Sequence, residues 1–101
     1  MNANIDGKRY LFSDFMHNGE YYDSSGYRFT YYSETVLPGG ALRIPGRHVN
    51  NEGYVCDADG NICLASRDFK KGKVVKIPFG DGIGKVYDKC NKNNTFDVYV
   101  H

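Results

Sequence analysis

Ring and polar residues alternate most clearly over Tyr27 to Ser33, where Tyr27, Phe29 and Tyr31 are interleaved with Arg28 and Thr30. A period of two predicts a strand with Tyr27, Phe29 and Tyr31 on one face. Shorter patterns of the same kind predict strands at Arg9 to Phe12, Gly53 to Cys56, Ile62 to Ala65, Lys73 to Pro78, Gly84 to Tyr87 and Thr95 to Val100. Between them, Asn18-Gly19 predicts a hairpin turn leading into Tyr21 and Tyr22, and Asp23-Ser24-Ser25-Gly26 is a turn cluster. Leu37-Pro38-Gly39-Gly40 and Ile44-Pro45-Gly46-Arg47-His48 read as a long irregular segment, because proline removes backbone donors and glycine permits close backbone approach. Ser66 to Lys71 is either a single helical turn or a short polar loop. About seven short strands without a sizeable helix imply an all-β barrel or sandwich.

Asp59-Gly60 carries the strongest local turn signal, since a two-residue type I′ hairpin needs positive φ at both central positions. Counting outward from it pairs Ala58 with Asn61, Asp57 with Ile62 and Cys56 with Cys63. Directly opposed Cβ atoms lie about 4.5 to 5.5 Å apart, near what a cross-strand disulfide needs. The alternative is two reduced cysteines packed as small hydrophobes, with Cys90 left over in either case. No second close-spaced ligand pair accompanies them, so no metal site is expected. Asp57-Ala58-Asp59-Gly60-Asn61 departs from a calcium loop: its glycine stands fourth rather than sixth, and the twelfth position is Asp68 rather than Glu.

Composition narrows the picture further. With 101 residues the chain has room for one compact core, and nine Tyr and six Phe without Trp suit short half-buried strands. Thirteen basic against twelve acidic residues leave a net charge of +1, too weak a field to gather nucleic acid or an anionic membrane. The charges at Asp6, Lys8, Arg9, Asp14 and Glu20 interrupt any apolar run of a signal peptide, and no stretch is apolar enough for a spanning helix. The expectation is a protein made in the cytoplasm, without a membrane partner.

Gly72-Lys73-Val74-Val75-Lys76-Ile77-Pro78, a glycine-rich turn, Gly84-Lys85-Val86-Tyr87-Asp88 and Phe96-Asp97-Val98-Tyr99-Val100 together resemble the second half of the three-aspartate (3D) domains. These six-stranded double-psi β-barrels are similar to the barrels of lytic transglycosylase A and rare lipoprotein A. Tyr31-Tyr32-Ser33 resembles their aromatic first strand, and the resemblance covers about residues 27 to 100. It implies a barrel over residues 27 to 101, with residues 1 to 26 as an N-terminal β extension packed on it. Leu37 to Cys63 resembles small phage and prophage proteins of Gram-positive gut bacteria.

The function implied by this resemblance is directed at peptidoglycan glycan strands, at the cell wall or within a virion that delivers the protein. Active members use an aspartate that protonates the glycosidic oxygen and then assists attack by the sugar 6-hydroxyl; no cofactor takes part. Asp88 matches the aspartate that ends the penultimate strand and Asp97 the one in the final strand. Where the first aspartate of the pattern would stand, the chain reads Ser66-Arg67-Asp68, and Lys89 to Asn94 replace the usual Asp-Thr-Gly-Gly loop. Asp88 and Asp97 therefore have two readings, as catalytic groups or as structural carboxylates accepting hydrogen bonds. Tyr31, Tyr32 and Tyr54 offer ring faces for stacking on sugars, and Glu34 and His48 are further groove candidates. Two function classes follow: a peptidoglycan-directed barrel, either lytic or a catalytically silent glycan binder, and a non-enzymatic phage or mobile-element protein that binds a host or virion protein.

Overall fold

A computed structural model describes residues 11–23, 26–33, 44–80 and 82–101. The described residues are rich in strand, with one short helix among them, α1 (Phe12–Asn18), followed by β1 (Glu20–Tyr22), β2 (Arg28–Ser33), β3 (His48–Val49), β4 (Val55–Cys56), β5 (Ile62–Ser66), β6 (Val74–Lys76), β7 (Ile83–Asp88) and β8 (Thr95–Val100). The helix is a departure from the expected opening strand and hairpin. Phe12, Phe15 and Met16 fall three and four residues apart and share the face turned to the core. Gly19, expected in a β-turn, instead ends the helix at φ 79°, its N–H donating to the Phe15 carbonyl at 2.9 Å. Of the predicted strand Arg9 to Phe12, the first two residues lie outside the described residues and Phe12 opens the helix.

The eight strands form one mixed sheet. β1 pairs antiparallel with β2, and β2 runs parallel to β8 over six residues, from Arg28 opposite Thr95 to Ser33 opposite Val100. β8 pairs antiparallel with β5, β5 runs parallel to β7, and β7 pairs antiparallel with β6. β4 joins β5 at Cys56 and Ile62 and carries β3 on its other edge. The all-β class is as expected; the closed six-stranded double-psi barrel is not what forms. Among the described residues, no ladder joins the β1 and β6 ends of the sheet. Ring packing spans them instead: Phe79, just beyond β6, stacks on Phe15 of α1 at 4.2 Å and meets Tyr21 of β1 edge-on at 6.1 Å. Side-chain contact of this kind has no directional register, so it brings the two ends together without closing the hydrogen-bond network.

β5 lies at the centre, and all five of its residues are buried. Strands covered on both faces read as continuous apolar runs, which Ile62-Cys63-Leu64-Ala65 does. Ile62 and Leu64 join the larger core cluster, with Phe29, Phe79, Phe96 and Val98. Cys63 and Ala65 join a smaller one on the opposite face, with Ile44, Val55 and Tyr99.

The hairpin between β4 and β5 corrects the expected cysteine pairing. Cys56 stands opposite Ile62, the Asp57 N–H donates to the Asn61 carbonyl at 3.0 Å, and three residues rather than two form the loop. The Gly60 N–H donates back to the Asp57 carbonyl at 3.0 Å while Gly60 itself takes φ 84°, the turn-plus-left-handed geometry of three-residue hairpins. One extra loop residue shifts the register by one and sends Cys56 and Cys63 to opposite faces. Both are free thiols. Ser66 to Lys71 forms no helix: Ser66 ends β5, and the residues after it form a polar loop in which the Phe69 N–H donates to Ser66 Oγ at 3.2 Å.

Candidate functional site

Register brings the two predicted aspartates into one row. Ala65 of β5 is opposite Asp88 of β7 on one side and opposite Asp97 of β8 on the other, and Asp97 is in turn opposite Thr30 of β2. A register shift between Leu64 and Ala65 makes this possible, since Leu64 pairs with Val86 and Ala65 already with Asp88. Such a bulge re-aims a side chain without ending the strand. Asp88 and Asp97 thus flank a small residue two strand spacings apart, about 10 Å between backbones.

Tyr99 ties the row together. Two residues beyond Asp97 on an alternating strand, it shares the Asp97 face, and its hydroxyl donates to Asp88 Oδ2 at 3.4 Å. Burial raises the phenol above its ordinary pKa, and the charges of Asp88 and Asp97 raise it further. Asp97 accepts a hydrogen bond from the Thr30 hydroxyl, and Asp88 Oδ1 accepts one from the Lys89 N–H at 2.8 Å. Tyr32 packs edge-on against Tyr99 at 6.1 Å and is 41% exposed, leaving part of its ring open to solvent beside the row.

A third carboxylate on this face is wholly committed to structure. Asp57 is 2% exposed and accepts from the N–H groups of Asp59 and Asn61, the Asn61 side chain and the Tyr87 hydroxyl, the last at 2.6 Å. Burial pushes its pKa up, but the hydrogen bonds from Tyr87, Asn61 and Asp59 together outweigh burial and hold the carboxyl below its ordinary range. Tyr87 shifts the other way, raised by burial and by the Asp57 carboxylate. Burial, with the nearby charges of Asp57 and Cys56, pushes the Cys63 thiol up to about 12, partly opposed by Arg47.

The other predicted residues do not converge on the row. Tyr31 points to the opposite face, where its ring meets Phe15 at 5.4 Å and its hydroxyl donates to the Met16 carbonyl at 3.1 Å. Tyr54 is fully buried between Phe12 and Phe79, so its ring has no face left for a sugar. Its hydroxyl has no hydrogen-bond partner among the described residues. His48 is exposed on β3, with Nδ1 2.9 Å from the Gly46 carbonyl. Glu34 lies outside the described residues. No group of three or more His, Cys, Asp or Glu among the described residues is placed to hold a metal. No helix among them is long and apolar enough to cross a membrane.

Tyr99 and Thr30 were absent from the expected site, although strand alternation alone puts Tyr99 on the side of Asp97. Thr30 needs the parallel β2–β8 pairing, which joins residues 67 positions apart. Arg67 and Lys89, also unexpected, line an open cavity of about 480 Å³ with Cys90 and Asn91 just beyond the β5 and β7 ends. No family model, curated protein or solved structure matches this chain.

Proposed function

We propose that this chain is a glycan-binding module directed at peptidoglycan strands. The observation that carries the reading is the Thr30–Asp97–Ala65–Asp88 row, with Tyr99 between the carboxylates and the open edge of Tyr32 beside them. Carboxylates read sugar hydroxyls by accepting hydrogen bonds, and a part-exposed tyrosine ring supplies apolar area for the sugar face. Both aspartates already act as acceptors, from Thr30, Tyr99 and the Lys89 N–H. Binding uses that role; cleavage requires a carboxylic acid that donates a proton to the glycosidic oxygen. The choice of peptidoglycan over other glycans follows the resemblance of Gly84–Asp88 and Phe96–Val100 to the three-aspartate domains.

Incubation with purified peptidoglycan tests this directly. The protein is expected to co-sediment without releasing anhydro-muropeptides, and Asp88→Asn with Asp97→Asn to remain in solution with an unchanged circular dichroism spectrum. Release of anhydro products would replace the binder by a lytic enzyme. Failure of the parent protein to sediment would favour the protein-binding alternative, for which the exposed Val74 and Ile83 on β6 and β7 provide apolar surface.

A further inference from the structure

We infer that Arg67 and Lys89 form an anion subsite that holds a carboxylate of an acidic glycan whose hydroxyl groups lie on the Asp88–Asp97 row. The inference rests on the glycan reading above and adds a selectivity to it. Because β5 and β7 run parallel, their C-terminal ends emerge side by side, and the pairing of Ala65 with Asp88 places Arg67 and Lys89 just past the row. The cavity they line with Cys90 and Asn91, about 480 Å³, falls in the size range of small-ligand sites. Among the described residues neither cation forms an ion pair; Arg67 only donates to the Asn91 carbonyl, at 3.4 Å.

The nearby carboxylates are engaged with backbone. Asp68 accepts from the Asn94 N–H at 2.7 Å, and Asp88 from the Lys89 N–H at 2.8 Å. Those bonds, with the Cys90 thiol donating to the Lys92 carbonyl at 3.5 Å, hold the 89–94 loop in shape before a ligand arrives. A guanidinium fork and an ammonium beside a hydroxyl-reading row suit a sugar that bears a carboxylate.

Calorimetric titration of the full chain tests this with two probes of equal length: a neutral oligomer of N-acetylglucosamine, and one that alternates N-acetylglucosamine with N-acetylmuramic acid. The acidic oligomer is expected to bind about tenfold more tightly at low salt, a preference of the size that one charge-assisted contact confers. Arg67→Gln with Lys89→Gln should abolish the preference and leave affinity for the neutral oligomer unchanged. Should the double variant fail to fold, salt provides the readout on the parent protein, since added salt must weaken the acidic oligomer alone. Equal affinity for the two probes, or an equal loss on both in the double variant, overturns the anion subsite and leaves the glycan reading standing. Binding of neither probe overturns both.

Discussion

On one side of β8, Phe96, Val98 and Val100 enter a cluster where Phe96 stacks on Phe29 at 5.5 Å and on Phe69 at 5.6 Å; on the other side, Asp97 and Tyr99 meet Thr30, Asp88 and Tyr32. The first face is held by apolar area, which is non-directional and insensitive to protonation. The second is held partly by individual acceptors, each of which satisfies particular donors from the Thr30, Tyr99 and Tyr87 hydroxyls and from backbone N–H groups. Substitutions on the first face should therefore cost in proportion to the volume removed. On the second face the cost should follow the number of donors left stranded, and it should depend on pH.

The largest effect belongs to the first face. Phe96 is fully buried between two stacked rings, so Phe96→Ala leaves a cavity its neighbours can only partly fill. The expected loss is about 3 to 5 kcal/mol, a large share of what a domain of this size has, measured as a lower urea midpoint. A loss under about 1 kcal/mol would mean that the face is not close-packed.

Asp57 provides the sharpest contrast. Asp57→Ala removes little apolar volume but strands the Tyr87 hydroxyl and the Asp59 and Asn61 N–H groups, at an expected cost of about 2 to 3 kcal/mol. Because folding lowers the Asp57 pKa, its contribution is present above the unfolded carboxylate value of about 3.9 and is lost as pH falls through the folded value. Urea midpoints recorded at descending pH should therefore drop steeply below about pH 4 in the parent and less steeply in Asp57→Ala. Parallel curves would place the acid sensitivity elsewhere.

The two faces also differ in how legible they were. Alternation in Tyr27-Arg28-Phe29-Thr30-Tyr31 and the strand-forming residues of Thr95 to Val100 predicted β2 and β8 closely, because residue pattern and strand propensity are local properties of the chain. The site was only half readable for the opposite reason. That Asp88 and Asp97 share a row depends on β5 lying between β7 and β8 and on a bulge at Leu64 and Ala65, neither of which leaves a local signature. The Cys56–Cys63 pairing failed on a single residue: Asp59-Gly60 fits a two-residue turn, but the Asp57 carboxylate accepts from the Asp59 and Asn61 N–H groups and stabilises a loop of three. Tyr54, offered as a ring for stacking on sugars, is instead drawn inside by its bridge to Val100, a pairing that no local pattern announces.

Tyr99→Phe is the smallest expected change and separates the roles of the second face. It keeps the ring against Tyr32 and removes only the hydroxyl donated to Asp88, a long bond, so stability should fall by about 0.5 to 1 kcal/mol at neutral pH. At alkaline pH the sign reverses. Burial and the two aspartates raise the phenol in the folded state, so its neutral form is favoured there, and the stability it lends is lost as pH rises above the unfolded value of about 10. Tyr54 and Tyr87 are raised as well, which leaves a residual alkaline slope in the variant, but one shallower than in the parent. Urea midpoints at neutral pH and above pH 10 would check both halves. If Tyr99→Phe instead weakens peptidoglycan co-sedimentation while leaving the alkaline slope untouched, the hydroxyl serves the ligand and does not hold Asp88 in place.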